Sequence, residues 1–397
     1  MRKRSLTLLA ALQRQGGVLI VCLALCTLAL ALTFTNFNAP GAGTAAGQGT
    51  LAIGINSASS PSIVGAYLDS KNAYHGFVRS GSGTITDFNA PGASTAAGQG
   101  TNFAGISGIN TAGTITGPYV DSKGVFHGYI RSTTGKFTIL NVASAGKSAG
   151  QGTLAGNINT SGEIAGFYTD AAGANHAFLW TSKAGFITFD APGSGTGAGQ
   201  GSVTAFFDGL NDSGSIAGNY ADTKLVNHAY VRTSGGAFHT FSAAKAGTDN
   251  KGCPTGVACK GTFASGINGA GTWVGLYVDE ALVNHGLVRS SGGTLTPFSV
   301  LGAGTNNTGC PTAGPACKGT FPQNINSSGI VVGYYVDNAL VAHGFERSAT
   351  GVITKFDHPL AGKCAGCGTL AFSNNSTNAI TGYYIDSKSV AHGYEAK

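Results

Sequence analysis

The chain has 397 residues, of which 64 are glycine and only 10% are charged, while 42% are hydrophobic. That balance excludes a disordered polypeptide and fits a β-rich protein with many tight turns, because glycine supplies the positive φ angles that turns require. The formal charge is +6, but Arg2, Lys3, Arg4 and Arg14 lie in the first 31 residues, which hold no acid; the rest carries 19 basic and 17 acidic residues, so no electrostatic footprint for nucleic acid exists.

In chain order, the first predicted element is an export signal over residues 1–31. A basic stretch, MRKRSLTLLAALQRQ, precedes an apolar run, GGVLIVCLALCTLALA, and Ala29-Leu30-Ala31 satisfies the small-x-small cleavage rule. Retention of the segment as a membrane anchor is the alternative. Nothing else in the chain is long and apolar enough to span a bilayer as a helix.

Residues 32–397 are then dominated by internal repetition. The pattern Gly-x-Tyr-x-Asp-x5-His begins at Gly65, Gly117, Gly166, Gly218, Gly275, Gly333 and Gly382. An Asn stands nine residues before the Tyr in six copies (Asn110, Asn159, Asn211, Asn268, Asn326 and Asn375), and Asn56 stands eleven before it in the first. The repeats run over residues 37–87, 88–139, 140–188, 189–240, 241–297, 298–355 and 356–397, the last joined by residues 32–36.

Each unit reads as four short strands. In the second they are NFAGISGIN, TITGPYVD, VFHGYIRS and FTILNV, separated by TAG, DSKG and STTGK, which carry hairpin turn chemistry. Helical periodicity is absent beyond the export signal. The expected fold is therefore all-β: a seven-bladed β-propeller of four-stranded blades. The seventh unit ends after its third strand, and LTFTNFNAPGA at the start of the mature chain aligns with GTITDFNAPGA of the first unit. The N-terminal strand is thus expected to complete the last blade and remove an open edge. An open β-solenoid is the rival.

The residues after each motif histidine read HGF, HGY, HAF, HAY, HGL, HGF and HGY, beside GIN-x-x-G and G-x-Y-x-D phrases. In this the mature chain resembles the extracellular HAF-repeat proteins. The resemblance implies export and a repetitive β architecture, and brings no established chemistry.

Seven Asp–His pairs arise from the motif: Asp69 and His75, Asp121 and His127, Asp170 and His176, Asp222 and His228, Asp279 and His285, Asp337 and His343, Asp386 and His392. A hairpin would set residues i and i+6 opposite each other and permit a carboxylate–imidazole hydrogen bond. One such pair suggests a metal ligand or general base. Seven around a ring suggest a structural clasp, and neither a cofactor nor a metal is expected.

Five units carry an arginine four residues after the histidine, which reads as an exposed strand end. The recurrent Tyr reads as packing between units. Cys253 and Cys259, Cys310 and Cys317, and Cys364 and Cys367 occupy equivalent loops of the last three units. In an exported chain they read as three local disulfides, with zinc as the alternative.

Those loops break the repeat, so they are the candidate binding surface, through Asp249, Asn250, Lys251, Lys260, Asn306, Asn307 and Lys318. The expected role is a binding or scaffolding module at the cell surface or in the medium, monomeric, its partner a carbohydrate or a protein. A polysaccharide lyase or hydrolase with a site near the central channel is the alternative. No nucleophile or paired-carboxylate motif supports it.

Overall fold

The computed structural model describes residues 32–102, 106–205, 208–310 and 316–397; the expected export signal and its cleavage site lie outside them. Strand β1 spans Phe34–Phe37, and the first unit continues with β2 Gly49–Ile55, β3 Ile63–Leu68, β4 Tyr74–Arg79 and β5 Ile85–Phe88. β3 pairs antiparallel with β2 and β4, and β4 pairs with β5. The following units repeat this order, and no helix occurs among the described residues.

Ring closure is visible at three radii. On the outside, β1 pairs antiparallel with the C-terminal strand Ala391–Ala396, with Phe34 opposite Ala396 and Phe37 opposite Gly393. Further in, the start of each first strand meets the third strand of the preceding unit in a short parallel pairing, including Tyr74 with Gly100, Asn284 with Gly319 and, across the chain ends, Ala391 with Gly49. Gly49 has φ 117°, and a Cβ there would stand 2.1 Å from the Ala391 carbonyl oxygen, so the GQGT phrase needs its second glycine.

The innermost closure uses the recurrent asparagine. Each side-chain amide donates to the backbone carbonyl of its counterpart in the next unit: Asn56 to Asn110, then Asn159, Asn211, Asn268, Asn326, Asn375, and back to Asn56, at 3.0–3.3 Å. Each Oδ1 also accepts a backbone N–H of its own turn, as Asn268 does from Thr272. One side chain satisfies both the turn and the ring. The chain is a closed, propeller-like all-β structure.

Packing explains the aromatic of the His-x-aromatic step. Phe77, Tyr129, Phe178, Tyr230, Phe345 and Tyr394 are wholly buried. Several of these rings cover the glycine that opens the motif, as Phe178 covers Gly166 and Tyr230 covers Gly218. The fifth unit has Leu287 in that place, and Trp273 stands where most other units have isoleucine; both are buried in one cluster, and the indole lies over Gly275. A large ring moved to the neighbouring strand conserves core volume. Trp273→Ile is expected to cost about 2–4 kcal/mol in urea unfolding. Adding Leu287→Phe is expected to bring the loss below ~1.5 kcal/mol. An additive double mutant would refute the exchange.

The arginines are not at exposed strand ends, contrary to expectation. Arg79, Arg131, Arg232, Arg289 and Arg347 lie over Phe37, Phe88, Phe189, Phe241 and Phe298, with ring distances of 4.5–5.1 Å. Each phenylalanine belongs to the outer strand of the preceding unit, so the guanidinium seals the joint by cation–π contact and stem burial.

Candidate functional site

The seven motif hairpins have one geometry. Asp69 Oδ1 accepts the Lys71 and Ala73 N–H groups, and the turn closes through Asn72, whose φ is 62°. The Asp–His pairs come within 3.1–3.5 Å in all seven units. They are not directly opposite, however: Tyr67 is the partner of His75 across the strands, and the same register holds in the second unit. The turn takes up Asp69 through Ala73, so Asp reaches His diagonally while Tyr stacks on it, with centroids 4.8 Å apart.

The other ring nitrogen is also engaged. Nδ1 meets Asn89, Asn141, Asp190, Ser242, Ser299, Asp357 and Asn38 in turn, at 2.8–3.0 Å. In five units burial works against the carboxylate, but the backbone N–H groups and the histidine outweigh it and hold Asp69, Asp121, Asp170, Asp222 and Asp386 below the usual range. With both nitrogens occupied by protein groups, each histidine is a clamp between turn, strand and exit loop. Among the described residues no group of three or more His, Cys, Asp or Glu is arranged to hold a metal.

The cysteines form three disulfides, Cys253–Cys259, Cys310–Cys317 and Cys364–Cys367. The first two brace loops beside a cavity of about 520 Å³ shared by the third to sixth units. Its apolar lining includes Val203, Val257, Phe263, Leu276 and Phe321, and its polar groups include the amides of Asn175, Asn219, Asn227, Asn284 and Gln323. Asn227 donates to the Ala258 carbonyl and Asn284 to that of Ala316, which ties the loops to the preceding units. These asparagines precede the motif histidines only in the third to fifth units.

The seven loop residues anticipated as a binding surface do not line this cavity. Lys260 is buried, with Nζ 2.8 Å from Glu280 and 3.1 Å from Asp249. Burial alone would lower its pKa, but the two carboxylates outweigh that and raise it. Lys251 reaches Asp249 at 3.4 Å. Lys318 donates from a buried position to the Thr308 carbonyl. Asn250 donates to the Val257 carbonyl, and Asn306 accepts from Thr308 N–H. Asn307 Oδ1 is buried without a hydrogen-bond partner among the described residues. The structure gathers Asp249, Lys251 and Lys260 into one ion-pair group, while Asn306, Asn307 and Lys318 belong to the next loop.

A residue missed by sequence reasoning stands at the ring axis. Three places before the ring asparagine, the first strand carries the extra residue of a β-bulge, as at Ile53, between Ala52 and Gly54, and Ser265, between Ala264 and Gly266. Bulges re-aim a side chain. In the fourth unit this place holds Asp208, which lines two axial cavities of about 310 and 40 Å³. Burial pushes its carboxyl up to about 7, against an opposing hydrogen bond from Asn324. The available signal was the phrase DGLN, the one acidic form where the other units read IGIN, SGIN, GNIN, QNIN or FSNN.

No family model matches the chain, and no curated protein matches it. Among solved structures, a lectin from Burkholderia pseudomallei is similar with a TM-score of 0.50 at 11% identity, covering 84% of this chain and 96% of its own. Puromycin hydrolase gives 0.46 at 10% identity, over 87% of this chain and 53% of that one. A fucose-specific lectin from Aleuria aurantia gives 0.38 at 13% identity, over 77% and 94%. At such identities the likeness is one of fold alone, and what the chain shares with the Burkholderia lectin is a closed, propeller-like all-β architecture.

Proposed function

We propose that each repeat is one four-stranded blade of a seven-bladed propeller of the HAF-repeat kind, exported through residues 1–31, and that it serves as a carbohydrate-binding module at the cell surface. The observation that supports this reading is the 520 Å³ cavity beside the braced loops. Its size and mainly apolar lining with a few amides are those of a small-molecule site. Half-buried Phe263 and Phe321 offer apolar surface to the C–H face of a sugar ring, and the asparagine and glutamine amides offer hydrogen bonds to hydroxyls. The cavity also departs from the sevenfold repeat, which gives the ring one direction.

The hydrolase reading would need two cooperating carboxylates near the channel. Its mouth holds Asp208 and Asp212, but Asp212 Oδ1 already accepts the N–H and hydroxyl of Thr160.

A glycan array probed with the purified protein is expected to give a restricted set of hits with micromolar affinity. Phe263→Ala should weaken them at least ~10-fold, the effect of losing a central anchor of a small site. Joint Cys253→Ser and Cys259→Ser substitution should weaken them less, by loosening the loop that carries Val257. Lys251→Ala, outside the cavity, should leave them unchanged. A folded protein that binds no glycan, or binding indifferent to Phe263, sinks the proposal.

A further inference from the structure

The ring axis gathers oxygen atoms from units far apart in the chain. Asp208 of the fourth unit, Ser107 of the second, Asn324 of the sixth and Ser373 of the seventh all line the 40 Å³ axial cavity. The Asn324 side chain hydrogen-bonds the Asp208 carboxyl and donates from Nδ2 to Ser373 Oγ at 2.8 Å. Ser107 is 2% exposed, and its hydroxyl has no hydrogen-bond partner among the described residues. An unmet hydroxyl so deeply buried calls for an occupant.

The larger cavity on the asparagine-ring side extends this tier. Among the described residues its charged lining consists of Asp208 and Asp212, with no lysine or arginine. Asn374, which lines it, has a buried Oδ1 without a partner among the described residues. The 40 Å³ cavity, walled also by Ile53, Ile55, Ile109 and Ile158, has room for one ion and a water or two, and the 310 Å³ cavity beside it gives access to further water.

We infer that the axial channel binds a single hard cation of the calcium class, held by the Asp208 carboxylate with the Ser107 and Ser373 hydroxyls and completed by water. Calcium accepts mixed carboxylate, neutral-oxygen and water ligands in irregular geometry, whereas magnesium demands a small regular octahedron. The site is distinct from the cavity beside the disulfide loops and from the Asp–His clamps. It would add the second and seventh units to the link that Asn324 already makes between the sixth and the fourth.

The test is calorimetric titration of the EDTA-stripped protein with calcium chloride, in parallel with magnesium chloride and with a melting experiment for each. One calcium per chain and a concentration-dependent rise in Tm are expected, with a response to magnesium at least ~10-fold weaker. Asp208→Asn should weaken calcium at least ~10-fold, and Ser107→Ala by several-fold, as loss of a ligand does. If Asp208→Asn does not fold, Ser107→Ala carries the decision. No heat and no change in Tm for the parent protein overturns the inference. So does equal response to both ions, or calcium affinity that neither substitution alters.

Discussion

Gly275→Ala is expected to abolish cooperative folding, or to cost more than ~4 kcal/mol where any folded protein survives, the range reached when a core position is forced apart. A Cβ on Gly275 would lie 2.1 Å from the Phe263 carbonyl oxygen and 2.4 Å from the Trp273 ring. The carbonyl belongs to the neighbouring strand, so no rotamer change relieves it. The same contact recurs at Gly65 with Leu51 and at Gly382 with Leu370, at 1.9 and 2.0 Å. The first glycine of the motif is therefore set by strand approach at the bulge, a packing demand and not a turn demand. Gly269→Ala is the control, since nothing lies within 4 Å of a Cβ there; it should stay within ~0.5 kcal/mol of the parent. Urea denaturation of both variants decides the matter. A Gly275→Ala protein within ~1 kcal/mol of the parent would show that the strands can separate.

Much of this was legible in the residues because a repeat multiplies every signal by seven. The strand order followed from the repeat, the pairing of the N-terminal strand with the C-terminal one from the recurrence of its phrase in the first unit, and the three disulfides from close cysteine pairs in a chain read as exported. The recurrent asparagine was visible too, but its bond to the next unit was not, because a sequence shows that a polar residue recurs and not which unit it serves. The arginines were misplaced for a related reason. A charge near a strand end suggests solvent, yet five of the outer strands carry a phenylalanine that gives the neighbouring unit's guanidinium a face to lie on. In the braced loops, polarity pointed to a surface. Lys260 and Lys318 are instead buried and spent on Asp249, Glu280 and Thr308, and the cavity is formed by the apolar residues beside them. Asp208 was hidden because its place in the repeat is variable, held by Ile53, Ser107, Gly156, Ser265, Gln323 and Phe372 in the other units, so one more departure there carried no signal. That Asp208 meets Asn324, two units further on, is a tertiary fact.

Removing residues 32–38 is expected to have the other large effect, because it opens the ring at its seam. β1 contributes the strand pairing from Phe34 to Phe37, and backbone bonds join Thr33 and Lys397 in both directions. Phe37 packs with Tyr67 and Phe77 across the seam and carries Arg79 on its ring. Phe34 meets Tyr394 edge-on, and Asn38 holds His392. Two phenylalanines at about 1.5–3 kcal/mol each, with several backbone bonds at about 1 kcal/mol, exceed half the stability of an ordinary domain. The truncated chain should unfold or associate through its bare C-terminal strand, and a peptide of residues 32–44 added in trans should restore a monomer. A truncated protein that stays monomeric with Tm within ~5 °C of the parent would refute the role of the seam.

A histidine makes the same seam sensitive to acid. His358 is buried, stacked on Tyr384 at 3.8 Å, and Nε2 bonds Asn36 Oδ1 at 2.6 Å while Nδ1 accepts Leu360 N–H. Burial, with a smaller contribution from His392, pushes its pKa down from 6.5 to about 4. A depressed folded pKa means that the unfolded chain takes the proton first. Stability is therefore complete above pH ~6.5 and falls as pH drops from there toward 4. Between pH 7.5 and 4.5 the loss from this residue should be on the order of 2–3 kcal/mol. His358→Ala restores the residue that Ala39, Ala90, Ala191 and Ala243 supply in other units, and should remove that part of the pH dependence. The depressed motif aspartates are common to both proteins, so the difference between their two unfolding curves isolates His358. Identical acid profiles would show that the seam does not depend on a neutral imidazole.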